Sequence, residues 1–100
     1  MNRKMIDLLI YYDNVIRDDS IPIKQVEDHT RSDLQRLEHL RWMIDQMLHT
    51  ADPRLLGKFQ KPETVNRWLG FIQGVMWAAG YFGIKELRDQ SRDLNGPKQE

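Results

Sequence analysis

Apolar residues recur along this chain at intervals of three and four, the repeat of one face of an α-helix rather than the strict alternation of a strand. From Arg3 to Arg17 the repeat runs through Met5, Leu8, Leu9, Tyr12, Val15 and Ile16. Ile6, Ile10 and Tyr11 widen it beyond one face, so this first helix is expected either to be central in the fold or, as the favoured reading, to cover a second surface such as a contact between copies of the chain. A second repeat, Leu34, Leu37, Leu40, Arg41, Ile44, Met47 and Leu48, predicts a helix over 31–49 with Thr30 or Ser32 as its cap. The third is the cleanest. Pro62 suits a first helical position and Glu63 complements the helix dipole; Val65, Trp68, Leu69, Ile72, Val75, Met76 and Ala79 form the stripe, and Gly80 is a natural stop. A short last helix over 84–93 is expected after a Gly83 cap, with Leu87 pointing inward.

The breaks between these repeats have their own chemistry. Asp18, Asp19 and Ser20 lead into Ile21-Pro22-Ile23, where proline lacks a backbone donor and pushes Ile21 toward extended geometry. The two isoleucines and Val26 are expected to tack the connection onto the core. Ala51-Asp52-Pro53 ends the second repeat, and Arg54 to Gln60, with Leu55, Leu56 and Phe59 around Gly57, reads as a short turn or a frayed helical turn. The tail from Asn95 to Glu100 is expected to be mobile. The sum is an all-α fold, a small bundle of about four helices (approximately 3–17, 31–49, 62–79 and 84–93) in one domain spanning 1–100.

Within the third repeat Gly70, Gly74 and Ala78 return every four residues on a second face. An interior glycine costs a helix about 1 kcal/mol relative to alanine, so the pattern predicts close packing of another helix there.

Composition supports an ordinary globular protein. Forty per cent of the 100 residues are apolar and 30% are charged. Lys plus Arg and Asp plus Glu stand at 15 each, so bulk charge draws the chain neither to nucleic acid nor to an anionic membrane. The absence of cysteine removes disulfides and thiolate metal sites and fits a reducing cytoplasm. Asp7 and Asp13 interrupt the apolar start, which argues against a signal peptide, and no stretch reaches the roughly 20 apolar residues of a membrane span.

Candidate chemistry is sparse. His39, Asp45 and His49 share a helix, but only Asp45 and His49 have metal-ligand spacing, so a solvated face is expected. Glu27-Asp28-His29 reads as helix-entry chemistry rather than a proton shuttle. No phosphate loop, nucleophile elbow or paired-carboxylate signature occurs, so no catalytic residue, cofactor or metal is assigned. Trp68 lies on the main stripe and is expected in the core, whereas Trp42 and Trp77 lie beside the stripes. Together with Tyr11 they are the candidate partner-binding residues, since aromatic anchors concentrate binding energy. Lys85, Arg88 and Arg92 on one side of the last helix form the alternative, a nucleic-acid contact, although Asp89 and Asp93 dilute their field.

The run NRWLGFIQGVMWAAGYFGIKELR from Asn66 to Arg88, preceded by HLRWMIDQM from His39 to Met47, resembles small uncharacterised proteins carried by tailed bacteriophages and prophages. The resemblance centres on Arg67-Trp68-Leu69-Gly70-Phe71 followed by Gln73-Gly74. It implies a helix whose tryptophan and glycines pack tightly against the one bearing Arg41-Trp42-Met43. Relatives of that kind often carry threonine or serine near Gly83, where this chain departs from the pattern, and the first helix is not covered. The resemblance implies no activity. It implies a bacterial host cytoplasm and action by binding a host or phage protein; with the widened face of the first helix and the aromatics beside the stripes, the expectation is a non-enzymatic, self-associating protein, a homodimer, with an unidentified protein partner.

Overall fold

Capping chemistry sets the ends of the helices. The computed structural model describes residues 1–49, 57–92 and 94. Four helices are present among them: α1 (Arg3–Asp18), α2 (Asp33–His49), α3 (Pro62–Ala78) and α4 (Ile84–Gln90), with no strand in the described residues. The all-α bundle expected from the periodicity is observed, and the largest difference in boundary is the end of α4, at Gln90 rather than 93. Asn2 caps α1, its Oδ1 accepting from the Met5 N–H at 2.9 Å. Ser32 is the cap of α2: its Oγ accepts from the Gln35 N–H at 3.2 Å, while Gln35 Oε1 accepts from the Arg31 N–H at 2.7 Å. Gly80, at φ 86°, closes α3 as expected; its N–H donates to Trp77 O at 3.0 Å and the Tyr81 N–H donates to Met76 O at 2.9 Å, the paired bonds of a left-handed C-terminal cap. Gly83 precedes α4 with ordinary extended backbone, φ −80°, and its N–H donates to Glu86 Oε1 at 3.1 Å.

Helix α2 is central, packing on α1 along one face and on α3 along another. The stripes read from the sequence meet in a core whose fully buried side chains are Leu9, Tyr12, Ile16, Leu40, Ile44, Ile72 and Met76. Cutting one of these aliphatic side chains back to alanine is expected to cost about 2–5 kcal/mol. Phe82 and Leu87 extend the core toward α4, and Phe59 sets its ring edge-on against Trp68, centroids 4.8 Å apart. The Cα radius of gyration, 13.6 Å, is that of a compact globule.

Polar groups inside the bundle are paired. Tyr12 Oη donates to Gln90 Oε1 at 2.6 Å, and Gln73 Nε2 donates to Tyr12 Oη at 2.9 Å and to Ser91 Oγ at 2.7 Å, which joins α1, α3 and the end of α4. Burial raises the Tyr12 phenol above its ordinary range, so the ring remains a donor. Arg41, placed in the stripe of α2 by its spacing, meets Asp13 of α1 through two nitrogens, Nε to Oδ1 at 2.9 Å and Nη2 to Oδ2 at 3.2 Å.

The connection after α1 runs back along α2: Arg41 Nη1 donates to Ile21 O at 2.8 Å, the Lys24 N–H donates to Glu38 O at 3.3 Å, and the Val26 N–H donates to His39 Nδ1 at 3.1 Å. Of its three apolar residues Ile21 is buried and Val26 half-buried, but Ile23 is exposed. Leu34 also differs from expectation. It lies in the first turn of α2 and is exposed. The expected break at Ala51-Asp52-Pro53, the segment Arg54 to Leu56, Asp93 and the tail from Asn95 lie outside the described residues.

Candidate functional site

Helices α2 and α3 run antiparallel, since His39 faces Val75 while Met43, one turn on, faces Trp68. Their facing stripes do not close completely at the surface. Two lobes of one open groove remain between them, sharing His39 and Phe71. The first holds about 320 Å³ and is completed by Val26, Thr30, Arg36 and Val75; the second holds about 290 Å³ and is completed by Met43, Arg67 and Trp68. Apolar surface dominates both, and Phe71, 55% exposed, stands between them.

His39 is the most constrained polar group of the groove. Its ring stacks on Trp42, centroids 5.3 Å apart and planes 29° apart, and its Nδ1 accepts the Val26 N–H. An acceptor at Nδ1 requires the neutral ring with its proton on Nε2. Burial lowers the pKa below the usual histidine value, with Glu27 acting in the opposite direction. The expected solvated face is therefore corrected for His39, which is half-buried because the connection folds back over it, and holds for exposed His49, whose Nδ1 lies 3.2 Å from Asp45 Oδ1. His29 is exposed, and its N–H donates to the Asp28 carboxylate at 2.7 Å. Among the described residues no group of three or more histidines and acids is placed to hold a metal ion.

The candidate anchors do not form one patch. Trp42 is half-buried against the core and reaches the groove through His39. Trp77 is 52% exposed on the outer side of α3. Tyr11 is 47% exposed on α1, its ring centroid 5.9 Å from that of Phe82. Ile10 beside it is also exposed and Ile6 is half-buried, so the widened face of α1 is only partly covered among the described residues. Lys85, Arg88 and Arg92 are all exposed, and Arg92 Nη2 pairs with Asp89 Oδ1 at 3.0 Å.

The close helix packing expected at Gly70, Gly74 and Ala78 is corrected. All three are exposed, and a Cβ added at either glycine would meet no atom of the described residues within 4 Å. The helix does pack on the one bearing Arg41-Trp42-Met43, but through the bulky side chains of the opposite face, Leu69, Ile72 and Met76. Phe71 belongs to the run on which the resemblance centres but not to the candidate binding residues, although a signal exists: it stands three residues after Trp68 and four before Val75, at the edge of the stripe rather than opposite it.

Comparison of the chain with protein-family models, with curated proteins and with solved structures finds no match. No helix among the described residues is long and apolar enough to cross a membrane.

Proposed function

We propose that this chain is a non-enzymatic helical binding module that acts by occupying a protein surface, with self-association into a homodimer as part of that behaviour. The observation that supports it is the groove between α2 and α3, an open apolar channel with a half-exposed aromatic ring at its centre. Exposed aromatic surface beside cavities of this size is a common setting for binding anchors. Following the resemblance over 66–88, the partner is a host or phage protein in a bacterial cytoplasm.

Tagged wild-type chain and its Phe71→Asp variant, passed through bacterial lysate with and without nuclease, test this reading. A stoichiometric protein retained by the wild type after nuclease and lost with Phe71→Asp is the expected result. Equal retention by both would remove the groove from the interaction. Light scattering over a concentration series tests self-association, and a monomer at every concentration would end that part of the proposal.

A nucleic-acid-associated accessory role is the second reading, favoured by the exposure of Lys85, Arg88 and Arg92 on and just after α4. The ion pair of Arg92 with Asp89 weakens it. Salt-sensitive binding of DNA or RNA that disappears when all three are replaced by glutamine would favour this reading over the first.

A further inference from the structure

We infer that the α2–α3 groove takes a short peptide segment carrying apolar anchors together with carboxylates. The inference rests on the binding-module reading and adds the chemistry of the partner. Every charged side chain lining the two lobes is cationic: Arg36 in the first and Arg67 in the second. Lys58 adds positive charge beside the second lobe, its Nζ 4.6 Å from the centroid of the Trp68 ring. Between the arginines His39 is fixed as an Nε2–H donor by the Val26 bond at Nδ1, and Thr30 supplies a hydroxyl. No carboxylate lines either lobe among the described residues.

The acids nearby leave this polarity in place. Asp33 Oδ1 holds Arg36 Nη1 at 3.0 Å, but both side chains are well exposed, at 59% and 43%. Such a pair contributes at most about 1 kcal/mol, so a partner carboxylate can take its place. Glu27, on the connection, is exposed and accepts from Gln25 Nε2 at 2.9 Å.

Shape selects a peptide. Both lobes are open on one side, whereas a small ligand is normally held with about 70–90% of its surface enclosed. Along α2 the groove extends from Arg36 to Met43, about 10 Å at 1.5 Å per residue. That is about two helical turns, enough for one apolar side chain on each side of Phe71 with the peptide backbone left in solvent, and with acids reaching the arginines at the ends.

Selection of displayed random peptides on the full-length chain, followed by affinity measurement through tryptophan fluorescence, tests the inference. The expected winners combine Leu, Phe, Trp or Met with Asp or Glu. They lose about tenfold or more in affinity on Arg36→Glu/Arg67→Glu, more at low salt than at high, and they do not bind Phe71→Asp. Circular dichroism confirms that the variants remain helical. Winners that lack acids, or that bind the double charge reversal unchanged, overturn the carboxylate inference and leave the binding-module reading standing. Winners indifferent to Phe71→Asp, or no winners at all, overturn both.

Discussion

The Val26 backbone N–H donates to Nδ1 of His39 across 3.1 Å, so the connection between α1 and α2 is fastened to α2 through a neutral imidazole. Protonation of Nδ1 replaces the acceptor with a donor and breaks the bond. Burial lowers the His39 pKa below its unfolded value of 6.5, outweighing Glu27. The unfolded chain therefore binds the proton first: the stability due to neutral His39 is fully present above about pH 6.5 and is lost as pH falls through the folded pKa. Urea unfolding midpoints between pH 8 and pH 5 are expected to drop on the acid side, and His39→Gln is expected to flatten that drop. An unchanged slope in the variant would detach the pH dependence from this residue.

Asp13 and Arg41 form the most shielded ion pair among the described residues, their side chains 24% and 11% exposed, and Arg41 also donates to Ile21 O. Asp13→Ala leaves the guanidinium half-buried without its carboxylate, and a loss of about 2–3 kcal/mol is expected in chemical denaturation. Arg41→Lys is expected to fall in the same direction, because an ammonium cannot make the two-pronged contact. In a double-mutant cycle Asp13→Ala/Arg41→Met should be less destabilised than the sum of the single changes. Strict additivity would show that the pair contributes nothing as a pair.

Ser20 is the one non-glycine described residue in the left-handed region, φ 62°, where its N–H donates to Arg17 O at 2.8 Å to close α1. A Cβ there costs roughly 1 kcal/mol. Ser20→Gly is therefore expected to raise stability by about 0.5–1 kcal/mol, read as a shift in denaturation midpoint at constant slope, and a fall would mean that the serine hydroxyl matters more than the backbone strain.

Periodicity made the bundle legible because α1 and α3 each bury one stripe against α2, and burial is what the spacing encodes. Arg41 shows the reach of that signal: its position predicted an inward side chain, although its charge gave no hint that Asp13 would meet it there. The groove was not legible for the same reason. It depends on where two stripes stop fitting, on the connection folding back to place Val26 over His39, and on Phe71 at the margin of a stripe whose centre is filled by Leu69, Ile72 and Met76. Spacing along one helix carries no information about a gap between two.

Gly70 and Gly74 combine a cost with no compensation among the described residues, since added Cβ atoms would meet nothing there within 4 Å and both residues have ordinary helical backbone. Each glycine lowers helix stability by about 1 kcal/mol relative to alanine. Gly70→Ala and Gly74→Ala are therefore each expected to stabilise the isolated chain by about 0.5–1 kcal/mol, and their separation by one turn on an exposed face makes the gains close to additive. Thermal and urea unfolding at low protein concentration read this directly. Loss of stability would mean that the alanine methyl groups meet something that the fold of a single chain does not provide, and a concentration-dependent loss would identify that neighbour as a second copy.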